Sequence, residues 1–169
     1  MNRIPLWIYL FLSLNPLAGA VPASQELLLN PITWAFKEAG ARKPIPPGAS
    51  FSLQVVARIA PGWHLYSTSQ PEGGPIPTRI WLPEGQVFQS LKDPQFPLPH
   101  KVFDKNFEME VEYYQESPVF TWVIKVAPRT PEGKHTLTVN ARFQACNDRV
   151  CLPPRTEKIQ LELEVAAKK

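Results

Sequence analysis

Between Ser50 and Ala60, Phe51, Leu53, Val55, Ala57 and Ile59 share one face and Ser52, Gln54 and Arg58 the other. A period of two marks a strand with one buried face. The same period runs through Leu137, Val139, Ala141 and Phe143 between His135 and Ala145. It recurs through Ile159, Leu161, Leu163 and Val165 between Glu157 and Val165. Shorter strands are predicted at Ile32 to Phe36, Trp63 to Tyr66 and Thr78 to Leu82, and at Gln86 to Leu91 beyond Pro83-Glu84-Gly85. Two more, Glu108 to Tyr114 and Pro118 to Val126, flank a Gln115-Glu116-Ser117 turn. Lys43 to Gly48, Ser69 to Pro77 and Asp93 to Pro99 are rich in turn residues, and the last carries three prolines, so it is no central strand. Each alternating strand has one apolar face, and two sheets must meet to bury such faces. The expected fold is therefore all-β, an immunoglobulin-like antiparallel β-sandwich. Trp63, Trp81 and Trp122 are assigned to its core.

Composition agrees. Twenty prolines in 169 residues rule out a helical bundle, since each costs a helix interior about 3 kcal/mol. Aromatic residues at 11% argue against disorder. The net charge of +3 comes from intermixed Lys, Arg, Asp and Glu with no cationic run, so no nucleic-acid partner is expected. There is no heptad, internal repeat or nucleotide-binding glycine pattern.

The chain opens with Met1-Asn2-Arg3, an apolar run from Ile4 to Leu14, a break at Asn15-Pro16 and the small residues Ala18-Gly19-Ala20. That is the pattern of a cleaved export signal over residues 1–20, too short and too interrupted to span a bilayer. The expected layout is a signal over 1–20, a lead-in and edge strand over 21–35, the sandwich over 36–166 and a tail over 167–169. No membrane span remains after cleavage, and the expected location is the bacterial periplasm or another exported compartment.

Both cysteines lie beyond the signal, and an oxidising compartment makes the pair presumptively a disulfide. On one straight strand Cys146 and Cys151 would face opposite ways, roughly 16 Å apart. A disulfide needs Cα atoms within about 7 Å. The strand must therefore turn at Asn147-Asp148 and set the cysteines side by side. Two readings stay open. A structural bridge has the stronger base rate in exported proteins. Yet closing so short a loop stabilises by only about 2 kcal/mol, and tight bridges tend to be labile. No C-x-x-C or H-x-x-x-H spacing supports a metal site, no G-x-S-x-G elbow supports a hydrolase, and thiol exchange needs no cofactor.

The segments Gly62-Trp63-His64-Leu65-Tyr66 and Phe143-Gln144-Ala145-Cys146-Asn147-Asp148-Arg149-Val150-Cys151-Leu152-Pro153-Pro154 resemble the N-terminal domain of the thiol:disulfide interchange protein DsbD. The similarity runs from about Phe36 to Val165. The resemblance implies an immunoglobulin-like domain that cycles between disulfide and dithiol. It implies electrons arriving from a thioredoxin-like domain or membrane reductant conductor on another chain, and leaving to an exported disulfide isomerase or other oxidised protein. It implies that Cys151 forms mixed disulfides and Cys146 resolves them. It further implies a cap loop at Asp93 to Phe103 with Phe96 as the shielding aromatic, and His64 and Tyr66 flanking the pair.

The sequence departs from the family pattern in four places. Four residues rather than five separate the cysteines, and His64 replaces a tyrosine. Pro94-Gln95, with Asp93 just upstream, stands where an acidic pair is expected, and Asp104 to Ser117 forms an extra hairpin. The residues also allow plainer roles: Phe96 as a loop aromatic packed on the sandwich, Tyr66 as core, and His64 as a strand-end histidine instead of a proton shuttle. The rival function is a non-catalytic immunoglobulin-like binding module with a structural disulfide.

Overall fold

The structure, a computed structural model, describes residues 30–39 and 44–167. The expected export signal, the start of the lead-in and the last two residues of the tail lie outside them. Among the described residues eleven strands form: β1 (Ile32–Ala39), β2 (Ser50–Ile59), β3 (His64–Tyr66), β4 (Arg79–Trp81), β5 (Phe88–Ser90), β6 (His100–Asp104), β7 (Met109–Tyr114), β8 (Val119–Val126), β9 (Gly133–Phe143), β10 (Ala145–Cys146) and β11 (Arg155–Val165). No helix occurs among the described residues, so none is long and apolar enough to cross a membrane.

The strands that alternate most clearly build the frame. One sheet has the order β1-β2-β8-β5, a second β11-β9-β4, with antiparallel pairing throughout. Lettered in chain order, these seven strands are the A-B-E-D and C-F-G sheets of an immunoglobulin constant-type sandwich. The predicted inward residues are inside: Leu53, Ala57, Leu137, Val139 and Ala141 have no exposed surface. Each large apolar side chain so buried contributes about 1.5–3 kcal/mol. Trp34 on β1 joins the two sheets, its ring 5.6 Å from Phe120 of β8 and 5.5 Å from Phe143 of β9.

The remaining strands make a third sheet, β10-β3-β7-β6. Every one comes from a connection between frame strands. β3 lies between B and C, β6 and β7 between D and E, and β10 between F and G. The chain enters β3 through a turn closed by Trp63 N–H to the Ala60 carbonyl at 3.1 Å. Pro61 and Gly62 are its central residues, and Gly62 takes φ +78°, which suits glycine at the third position of a type II turn.

Three expectations need correction. Residues His100–Asp104, expected to divide between a cap loop and the start of an extra hairpin, form one strand that pairs with β7 from His100↔Tyr113 to Asp104↔Met109. Pro97 and Pro99 sit just before it, where a sheet-edge strand tolerates them. Trp81 is 38% exposed, because it points outward from β4 while Ile80 points in; Trp63 and Trp122 are buried. β1 extends past Phe36 to Ala39 through an irregularity in its pairing with β2 between Phe36 and Glu38.

Candidate functional site

β9 and β11 pair continuously from Gly133↔Val165 to Phe143↔Arg155, so residues 144–154 are the tip of a long hairpin. Within that tip the chain folds back a second time. Asn147 N–H donates to the Val150 carbonyl at 3.0 Å, and Leu152 N–H donates to the Ala145 carbonyl at 2.9 Å. The Asn147 side-chain oxygen accepts from the N–H groups of Arg149 and Val150 at 2.8 and 2.9 Å. Asn and Asp favour such turns because their side chains bond the backbone just ahead. The result is an antiparallel bridge between Cys146 and Cys151, whose Cα atoms are 4.1 Å apart and whose sulfurs are bonded.

The two cysteines are unequal. Cys146 has no exposed surface, whereas Cys151 is half-buried. Both belong to a small apolar cluster with Tyr66 and Val111, packed by Val102, Phe107, Met109 and Tyr113.

β3 brings its two aromatic side chains to this cluster. His64 lies opposite Cys146 in the β3–β10 register. Its ring stacks on Tyr113 at 4.7 Å and meets Tyr66 edge-on at 5.1 Å. The Tyr66 hydroxyl donates to Asp104 Oδ2 at 2.6 Å and stands 4.0 Å from Cys151 Sγ. Asp104 Oδ1 accepts from Asn106 N–H at 2.7 Å, and Asn106 Nδ2 reaches the Asn147 carbonyl at 3.4 Å. The β6–β7 turn is thereby tied to both Tyr66 and the cysteine loop.

His64 and Asp104 do not quite join. Nε2 is 3.7 Å from Asp104 Oδ2, within ion-pair reach, yet it has no hydrogen-bond partner although buried. Burial lowers the His64 pKa below the ordinary 6.5, against the upward pull of Asp104 and Asp148. Tyr66 is pushed well above the usual tyrosine value, by burial first and then by its bond to Asp104 and that residue's charge. Beside this group opens a cleft of about 610 Å³, lined among others by Trp63, His64, Asp104, Lys105, Glu116 and Asp148.

The structure thus brings Cys146, Cys151, His64 and Tyr66 together. Phe96 and Asp93 are placed differently. Asp93 is exposed, and Phe96 is 40% exposed with its ring edge-on to Phe120 of the large core. Their segment is clipped to β8 by paired backbone bonds between Gln95 and Thr121. The phenylalanine packed in the cysteine cluster is Phe107, edge-on to Tyr66 at 5.8 Å.

Sequence reasoning also missed Asp104 and Gln144. Gln144 Oε1 accepts from Ile76 N–H at 2.9 Å and Nε2 donates to the Leu152 carbonyl at 3.4 Å, fastening the Pro-rich loop to the cysteine loop. Its place in the Gln-x-Cys block was the one signal for it. Asp104 and Phe107 had none, since only β6–β7 pairing carries them to β3.

Residues 35–163 match the family described as "Thiol:disulfide interchange protein DsbD, N-terminal". No curated protein matches the sequence. Solved structures similar to this chain include the following two. One is the reduced N-terminal domain of Neisseria meningitidis DsbD: 17% identity, 67% of this chain and 78% of that one, TM-score 0.46. The other is the N-terminal periplasmic domain of Proteus mirabilis ScsB: 17% identity, 79% of this chain and 45% of that one, TM-score 0.47.

Proposed function

This chain belongs to the DsbD N-terminal family, and from that premise we propose that it is a periplasmic thiol:disulfide exchange module working through Cys146 and Cys151. The observation that carries the reading is the inequality of the two sulfurs: Cys151 is half-buried at the surface of its cluster and Cys146 is fully enclosed. An incoming thiolate reaches Cys151 first. It bonds to Cys151 Sγ, the Cys146–Cys151 bond breaks, and Cys146 leaves with the electron pair. The donor's second thiolate then attacks the donor sulfur of this mixed disulfide and releases Cys151. The donor is oxidised to its own disulfide and this chain becomes a dithiol. In the next step the Cys151 thiolate attacks an exported protein's disulfide, and Cys146 expels that protein reduced.

The donor in this proposal is a thioredoxin-like domain or membrane conductor on another chain, and the acceptor is an exported disulfide isomerase or another oxidised protein. In this proposal Phe107, packed in the cysteine cluster and edge-on to Tyr66, is the shielding aromatic in place of Phe96. The β6–β7 turn that carries it moves aside when a partner docks.

Two measurements test this. Cys146→Ser accumulates mixed disulfides with partner proteins and Cys151→Ser traps none; equal trapping by both overturns the role assignment. The reduction potential of the pair lies above about −300 mV; a lower value marks a static bridge and favours the binding module.

A further inference from the structure

We infer that Tyr66, Asp104 and His64 form a proton path between Cys151 Sγ and the cleft beside them, a deepening that rests on the exchange reading above. The groups stand in line: Cys151 Sγ to Tyr66 hydroxyl at 4.0 Å, that hydroxyl to Asp104 Oδ2 at 2.6 Å, and Asp104 Oδ2 to His64 Nε2 at 3.7 Å. The line ends at solvent, because His64 and Asp104 both line the cleft. His64 Nε2 is a buried nitrogen with no hydrogen-bond partner, and the nearest charged oxygen is Asp104. Buried polar atoms left unpaired are costly, and a working role is one reason for a site to retain one.

The exchange chemistry needs such a path. A dithiol donor that reduces the pair ends as a disulfide and gives up two protons, and both cysteines end as thiols. Cys146 leaves in the first displacement and takes the proton that the donor's second thiol gives up as it becomes the attacking thiolate. Cys151 leaves in the second as a thiolate inside an apolar cluster, where an uncompensated charge is expensive. In the path, His64 passes a proton to Asp104. Asp104 gives it to the Tyr66 oxygen as the hydroxyl turns and gives its own proton to Cys151. When Cys151 must attack a partner, the same hops run backward and empty into the cleft. Tyr66 never has to hold a full negative charge, which matches a site where tyrosinate is strongly disfavoured.

The ionisable groups around His64 come from every packed element. Asp104 faces it from β6, Asp148 from the cysteine loop, Tyr113 from β7 and Tyr66 from its own strand. Lys105 and Glu116 share the cleft. None but Asp104 is both within ion-pair reach of His64 and bonded to Tyr66.

The test is reduction of the oxidised full chain by dithiothreitol, followed by stopped-flow over about pH 5 to 8, a range that brackets histidine titration. Rates are divided by the dithiothreitol thiolate concentration. The expected normalised rate falls as pH rises, with a midpoint below the ordinary histidine value of 6.5. His64→Gln flattens that profile and slows the low-pH reaction by roughly tenfold or more. Tyr66→Phe, which cuts the path at the sulfur end and leaves His64 in place, flattens it too. Folded variants that keep the wild-type profile overturn the path. Should both variants fail to fold, the solvent deuterium isotope effect on the wild-type chain decides: a normal effect at low pH supports the path and none overturns it. A folded chain whose disulfide dithiothreitol does not reduce at any pH overturns the exchange reading itself, and the path with it.

Discussion

Tyr66 and Asp104 are joined by a buried 2.6 Å hydrogen bond across 38 residues of sequence, and it ties the B–C connection to the D–E connection beneath the disulfide. Charge-assisted bonds of this kind are stronger than neutral ones, and breaking one strands a buried carboxylate oxygen. Tyr66→Phe is expected to destabilise the oxidised chain by about 1–3 kcal/mol in urea unfolding. A loss within error would mean that Asp104 finds another donor.

Phe107 and Phe96 are to be compared directly. An edge-on aromatic pair contributes about 0.5–1.5 kcal/mol beyond its buried area. Phe107→Ala removes the contact with Tyr66 and should speed dithiothreitol reduction of Cys146–Cys151 roughly 2- to 10-fold. Phe96→Ala should leave that rate unchanged, because its ring rests on Phe120. The reverse ranking would return the shielding role to Phe96.

Gln144→Ala frees both the Ile76 N–H and the Leu152 carbonyl from their side-chain partner. The expected cost is about 1 kcal/mol. Hydrogen exchange should show it locally, as faster exchange at Ile76 with no change in the centre of β9.

The buried, neutral His64 gives the folded state a pH dependence of known sign. Its pKa is lower when folded, so as pH falls below 6.5 the unfolded chain takes up this proton first. Stability is therefore fully present above 6.5 and is lost as the pH drops toward the folded-state value. His64→Gln should flatten this part of the stability profile. Urea midpoints at about pH 5 and pH 7.5, on either side of the ordinary value, provide the check.

The frame strands could be read from the chain because burial on one face writes a period of two into them. Leu137, Val139, Ala141 and Phe143 show it, as do Phe51 to Ala57. β6 writes no such period: His100, Lys101 and Phe103 are exposed and only Asp104 is buried, so an edge strand there resembles a loop. The site divides in the same way. His64, Tyr66 and both cysteines sit in local patterns with recognisable spacing. Asp104 and Phe107 reach the disulfide only through the β6–β7 pairing, a long-range contact that no local pattern marks. Phe96 and Phe107 are both aromatics near this connection, and the pairing of Gln95 with Thr121 is what takes Phe96 to the other side.

The disulfide and its neighbours ride on a sheet made wholly of connections, and the seven frame strands hold their register without it. Leu65, Tyr114 and Ala145 anchor that sheet in the large core, and β6 is the strand farthest along the sheet from the cysteine loop's β10. Of the β6–β7 hairpin only β6 is free at the edge: displacing it and the β6–β7 turn breaks the β6–β7 pairing and a few side-chain bonds, while Trp34, Phe120 and Phe143 stay interlocked. Changes in hairpin length or lining can then retune access to Cys151 without a compensating change in the sandwich.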